Sequence, residues 1–66
     1  METYYSAKER RAQILQLLKS RPKILVSSLS QMFNISEVTI RKDLEELENR
    51  NLLIRVRGGA IRLPKL

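Results

Sequence analysis

Only three residues, Asn34-Ile35-Ser36, separate two stretches whose apolar side chains recur at helical spacing, and so short a break limits what the chain can form. Before it, Leu29, Met32 and Phe33, with Val26 just upstream, mark a helix over about 26–33. After it, Ile40, Leu44 and Leu47 form an i, i+4, i+7 stripe that predicts a helix over about 37–50. Asn34 suits the left-handed position that ends a helix, Ser36 is a good N-cap, and Asn51 ends the second helix as Asn34 ends the first. Two helices joined by so tight a turn pack across one another as a helix-turn-helix.

The flanking segments complete the unit. Ser6-Ala7-Lys8-Glu9 has the spacing of a capping box, and Ala7, Arg11, Ile14 and Leu18 share one side of the helix that follows. Pro22 cannot continue that helix, which is placed at about 7–20. Lys23-Ile24-Leu25 reads as a brief strand, and Ser27 and Ser28 as caps of the second helix. Gly58-Gly59 between two β-rich runs reads as a two-residue hairpin turn. That turn pairs Arg57 with Ala60, Val56 with Ile61, Arg55 with Arg62 and Ile54 with Leu63. In this register Ile54, Val56, Ile61 and Leu63 share the inner face, and Arg55 and Arg62 the outer one. The fold class is mainly α with a small β hairpin: a three-helix winged helix-turn-helix.

Composition narrows the function. A 66-residue chain without cysteine has neither disulfide nor thiolate metal site to reinforce a small core. Without histidine it lacks the commonest general base, and no carboxylate pair stands in an evident pocket, so neither catalysis, a metal nor a cofactor is expected. The longest apolar runs are three residues, too short for a bilayer, and the N-terminus lacks the apolar stretch of a signal peptide; no membrane partner and a cytoplasmic location are expected. RNA binding lacks its aromatic platforms, since Tyr4 and Tyr5 are few and terminal. The net charge of +6 suits a polyanion, and its distribution is uneven. Residues 36–50 hold five of the seven acids and carry a net charge of −2, whereas the last 16 residues carry four bases and no acid.

With the core stripe of the third helix at Ile40, Leu44 and Leu47, the opposite arc holds Val38 and Lys42, with Thr39 and Arg41 at its sides. These four are the candidate base readers: an aliphatic group packs on a thymine methyl, and Arg or Lys donates to guanine edges. Ser27, Ser28 and Ser36, with Arg55, Arg57 and Arg62 on the wing, are the candidate phosphate contacts. Glu45, Glu46 and Glu48 fall on later turns that rise away from a groove entered N-terminus first. Glu37 either accepts from a cytosine amino group or favours the positive end of the helix dipole, with the dipole favoured. Asp43 is expected to pair with an arginine of the first helix or the wing, and Arg10 and Arg11 to be structural or weakly phosphate-facing rather than base-reading.

Ser36-x-x-Thr39-Ile40-Arg41-Lys42-Asp43-Leu44, preceded by Arg10-x-x-x-Ile14-x-x-x-Leu18, closely resembles the signature of DeoR-type bacterial repressors. Leu52-Leu53-x-Arg55-Val56-x-Gly58-Gly59-Ala60 resembles that family's wing. The sequence departs from the pattern at Leu25, where a capping Ser or Thr is usual, at Arg57, where His is common, and at Asn34 and Asn51, where Gly is common. The resemblance implies a double-stranded DNA operator as partner, and a helix-turn-helix at about 24–43 with Thr39, Arg41 and Lys42 in the DNA-facing helix. It further implies a bacterial repressor of sugar or nucleoside metabolism genes. A larger C-terminal domain, absent here, would bind a phosphorylated sugar effector and bring homo-oligomerisation. On this reading 1–6 is an N-terminal tail, 7–62 the winged domain with its wing at about 53–63, and 63–66 the start of a linker, so the chain is expected to be an excised DNA-binding fragment. The alternative is a winged helix used as a protein-interaction module, which calls for an exposed apolar patch on the third helix or the wing, where the sequence offers only Val38.

Overall fold

The computed structural model describes residues 5–64, so residues 1–4 of the expected tail and residues 65 and 66 of the expected linker lie outside it. Helix α1 spans Ala7–Ser20, strand β1 Lys23–Leu25, helix α2 Val26–Phe33, helix α3 Glu37–Asn49, and strands β2 and β3 Ile54–Val56 and Gly59–Ile61. The three helices and the brief strand fall where the sequence predicts them. Among the described residues no helix is long and apolar enough to cross a membrane.

Local chemistry explains the helix ends. Ser6 and Glu9 form the full capping box, with the Ser6 hydroxyl accepting from the Glu9 amide at 3.1 Å and the Glu9 carboxylate accepting from the Ser6 amide at 3.0 Å. Ser36 caps α3, accepting from the Thr39 amide at 3.2 Å. Asn34 and Asn51 take positive φ of 56° and 61°, the left-handed conformation that asparagine tolerates best after glycine. The α2–α3 turn is further locked by an exchange between residues 30 and 35: the Ser30 hydroxyl donates to the Ile35 carbonyl, and the Ile35 amide donates to the Ser30 carbonyl at 3.1 Å. Helix α2 is the exception. Its N-cap is Leu25, which makes no side-chain cap bond, so Ser27 and Ser28 do not cap it but sit exposed within its first turn.

The helices enclose one apolar core of Ile14 and Leu18 from α1, Val26, Leu29 and Phe33 from α2, and Ile40, Leu44 and Leu47 from α3. Ile24, Leu53 and Ala60 close it from the sheet. Tyr5 packs edge-on against Phe33 with ring centroids 5.3 Å apart. The inner stripe of α1 is Arg10, Ile14 and Leu18, rotated from the expected one: Ala7 is exposed and Arg11 half-buried. What turns the helix is a charge. Asp43, 1% exposed on α3, receives the Arg10 guanidinium through Nε and, at 3.1 Å, through Nη2, while Arg11 Nε donates to it at 3.0 Å. The pairing expected of Asp43 is thus made to both arginines of α1.

The sheet departs from the expected hairpin. It has three antiparallel strands in the order β1-β3-β2, and β2 pairs with β3 as Ile54↔Ile61, Arg55↔Ala60 and Val56↔Gly59. The turn residues are therefore Arg57 and Gly58, and Arg55 lies across from Ala60 rather than Arg62. The faces are exchanged as well. Ile24, opposite Ala60 on β1, and Leu53 are buried, whereas Ile54, Val56 and Ile61 are half-buried and Leu63 is exposed. Arg55 shares the inward face with Ala60. The reason lies in the two glycines doing different work. Gly58 alone takes the positive φ of 76° that the turn needs. Gly59 belongs to the ladder, where a Cβ would stand 2.0 Å from the Ile24 carbonyl oxygen, and Gly58 accepts from the Val26 amide at 2.8 Å. The close approach of β1 consumes the second glycine.

Two expectations follow. Asp43→Asn leaves the buried arginine without its charge partner and should destabilise by about 3–5 kcal/mol, a large share of the roughly 3–10 kcal/mol available to a domain this size; a urea midpoint within experimental error of the wild type contradicts the role given to Asp43. Gly59→Ala should cost more than Gly58→Ala, whose site has room and bears only the backbone strain of about 1–2 kcal/mol; thermal melts of the two variants give the order.

Candidate nucleic-acid interface

The exposed side of α3 is built by the burial of its other side. Ile40, Asp43, Leu44 and Leu47 face inward, which leaves Val38, Arg41 and Lys42, related by i, i+3 and i+4, as neighbours on the outer surface. Val38, in the first turn, is 58% exposed. Thr39 is half-buried, and its hydroxyl meets that of Ser36 at 3.1 Å, so these two candidates serve the helix cap. Arg41 is held by Glu37 through an i, i+4 ion pair of 3.0 Å. Glu37, in the first turn as the dipole reading requires, also restrains an arginine on the outer surface.

Arg41 also lines a shallow cleft between α3 and the wing, together with Arg55, Arg57 and the Gly58-Gly59 backbone. This cleft joins the two halves of the candidate surface. Arg57 projects from the hairpin turn and, like Lys42, has no ion-pair partner among the described residues. Arg55 differs. Facing inward at the sheet edge, it meets the last turn of α3, where Glu48 accepts its backbone amide and its Nε–H, each at 3.0 Å. These bonds from Arg55 hold the Glu48 carboxyl below the usual carboxylate range.

The other candidates lie apart from this cleft. The Arg62 guanidinium donates to the Lys19 carbonyl at 3.0 Å, satisfying the C-terminal end of α1, and its backbone amide donates to Pro22. Ser27 and Ser28 are exposed on α2 and make no side-chain hydrogen bond among the described residues. The structure therefore brings together Val38, Arg41, Lys42, Arg55 and Arg57, and sets Arg62 just past the central strand β3, at the end of the sheet away from the hairpin tip. Two acids form part of this surface through their arginine partners. Glu37–Arg41 was legible from its spacing; Glu48–Arg55 was not, because it depends on which way the wing faces.

Comparison with known proteins agrees with this architecture. The chain matches the DeoR-like helix-turn-helix domain over residues 10–65. It is 44% identical over 57 residues, 86% of this chain and 22% of the relative, to an uncharacterized HTH-type transcriptional regulator, YulB, of Bacillus subtilis. It is 43% identical over 53 residues to a putative aga operon transcriptional repressor of Escherichia coli O157:H7, covering 80% of this chain and 20% of that one. It is 42% identical over 55 residues to a putative galactitol utilization operon repressor of Escherichia coli K12, covering 83% of this chain and 49% of that protein. The chain spans about a fifth to a quarter of the length of the first relatives it matches, at 22%, 20% and 24%. No solved structure matches it. By its three-helix core, its wing and these relatives, the chain belongs to the DeoR-like helix-turn-helix family.

Proposed function

We propose that this chain binds double-stranded DNA in a sequence-dependent manner, as the operator-reading domain of a bacterial transcriptional repressor. The observation that carries the reading is the continuity of one surface, from Val38 and Lys42 through Arg41 to Arg55 and Arg57 across the α3–wing cleft. A helix with an outward aliphatic and two cations at its leading end suits the major groove, and a cationic hairpin tip beside it suits the neighbouring backbone or minor groove. On this reading Val38 packs on a base-pair edge, Arg41 and Lys42 donate to bases, and Arg57 holds a phosphate. Ser27, Ser28 and Ser36 would offer hydroxyls to the flanking backbone. Arg62, bonded to α1 at the far end of the sheet, is left to a structural role.

The biological setting is proposed by analogy. Three relatives are named as a putative aga operon transcriptional repressor, a putative galactitol utilization operon repressor and a lactose phosphotransferase system repressor, so carbohydrate utilisation genes are the class of target proposed here. A phosphorylated sugar as effector and assembly into a homo-oligomer would belong to a region outside these 66 residues. A cytoplasmic location and the absence of catalysis go with this reading.

The test is a salt titration of binding, by fluorescence anisotropy, to a duplex enriched from a random pool and to a shuffled duplex. Lys42→Ala should lower affinity for the enriched duplex by about 1–3 kcal/mol and leave the shuffled one nearly unaffected. Arg57→Ala should weaken both alike and flatten the dependence of log affinity on log salt by about 0.9, one phosphate's share. The opposite assignment of effects would overturn the roles of helix and wing, and absence of binding to either duplex at low salt would overturn DNA binding itself.

A further inference from the structure

Glu48 is placed to act on the wing's charge as well as on its position. We propose that Glu48 is a positioning and specificity-determining residue: it anchors Arg55 while cancelling its charge, so that Arg55 adds little to contacts with arbitrary DNA and serves the docked complex instead. The inference rests on the DNA-binding reading above and deepens it.

Three observations support it. First, the hold is two-pointed: one carboxylate oxygen takes the Arg55 backbone amide and the other takes Nε–H, which fixes strand and side chain together. Second, β2 is an edge strand in the order β1-β3-β2, so the amide that Glu48 accepts would otherwise be an open ladder donor. Third, Glu48 engages only Nε, and the two Nη nitrogens of Arg55, a residue lining the cleft with Arg41 and Arg57, have no partner among the described residues. A guanidinium held this way can still donate to a phosphate that arrives in register.

The physical consequence is a difference between two modes of binding. Non-specific affinity comes almost wholly from cations that displace counterions along the backbone, and a neutral pair contributes little to it. A docked complex gains from a side chain already ordered, because less rotamer freedom is lost on contact. Glu48 therefore depresses binding to arbitrary sequence more than binding to the selected one. Glu46 supplies the control. It lies on the same stretch of α3 and pairs with Arg50 at 2.8 Å, but neither residue lines the cleft.

The experiment compares Glu48→Gln with Glu46→Gln in the 66-residue chain, using a duplex enriched on the wild type and its shuffled counterpart across a fourfold salt range. Both variants change the net charge equally, and thermal melting verifies that each is folded. Glu48→Gln should tighten binding to the shuffled duplex and steepen its salt dependence by about one phosphate's worth, roughly threefold over that range, with a smaller change on the enriched duplex, so that discrimination falls. Glu46→Gln should do distinctly less. In an Arg55→Gln background, where no cation remains for Glu48 to cancel, Glu48→Gln should lose its excess over Glu46→Gln. Equal effects of the two variants, or unchanged discrimination with Glu48→Gln, overturn the role of Glu48 while leaving DNA binding intact. A wild type that binds neither duplex removes the DNA reading and this inference with it.

Discussion

A single carboxylate, that of Asp43, sets the orientation of the helix on which the functional reading depends. It is buried at the contact between α1 and α3, where two arginines of α1 share it. Apolar packing is tolerant of small rotations, because one aliphatic contact can replace another. A buried charge is not tolerant: its desolvation is offset only when the partner's hydrogens are aligned with its oxygens. Asp43 falls between Ile40 and Leu44 on the inward side, so fixing it inward turns Val38 and Lys42 outward on the same helix. The interior ion pair and the exposed reading surface are two consequences of one rotation of α3.

The wing is fixed by a second constraint of a different kind. Strand β1, lying between α1 and α2, pairs with β3, and the approach at Gly59 leaves no room for a side chain. The hairpin is thereby stitched to the chain immediately preceding α2, and the Val26 amide, bonded to the Gly58 carbonyl, continues the stitch. On the other edge of the sheet Glu48 ties β2 to the end of α3. A wing secured on both edges can hold a cleft of constant width beside α3. That matters because the proposed partner is a stiff object whose groove and backbone stand in fixed relation.

The helical part of the fold was legible because its signals are local. Capping residues, left-handed asparagines and an i, i+4, i+7 stripe each report on a few neighbouring positions, and Ser6, Ser36, Asn34 and Asn51 all act as their types predict. The sheet was less legible because its register depends on a third strand distant in sequence. Two adjacent glycines were read as one turn, whereas one serves the turn and the other a backbone contact with β1. That two-residue slip kept the alternation of faces but not their assignment, which Ile24 and Ala60 decide. The wing arginines were accordingly read as a uniform outer row. The absence of acids in the last 16 residues concealed the acid that folding brings in from residue 48. Ser27 and Ser28 misled for a related reason: Leu25 sits at the cap position because β1 runs straight into α2.

The central claim, that α3 and the wing present one surface to a duplex, is open to a direct measurement on a chain this small. Backbone amide resonances of the isotopically labelled protein can be followed as an enriched duplex is added. The largest shifts are expected at Val38, Arg41, Lys42, Arg57 and Gly58, saturating together. Small ones are expected around Lys19, Pro22 and Arg62, at the end of the sheet away from the hairpin tip. Shifts concentrated at that end, with α3 and the hairpin tip unmoved, would contradict a shared surface.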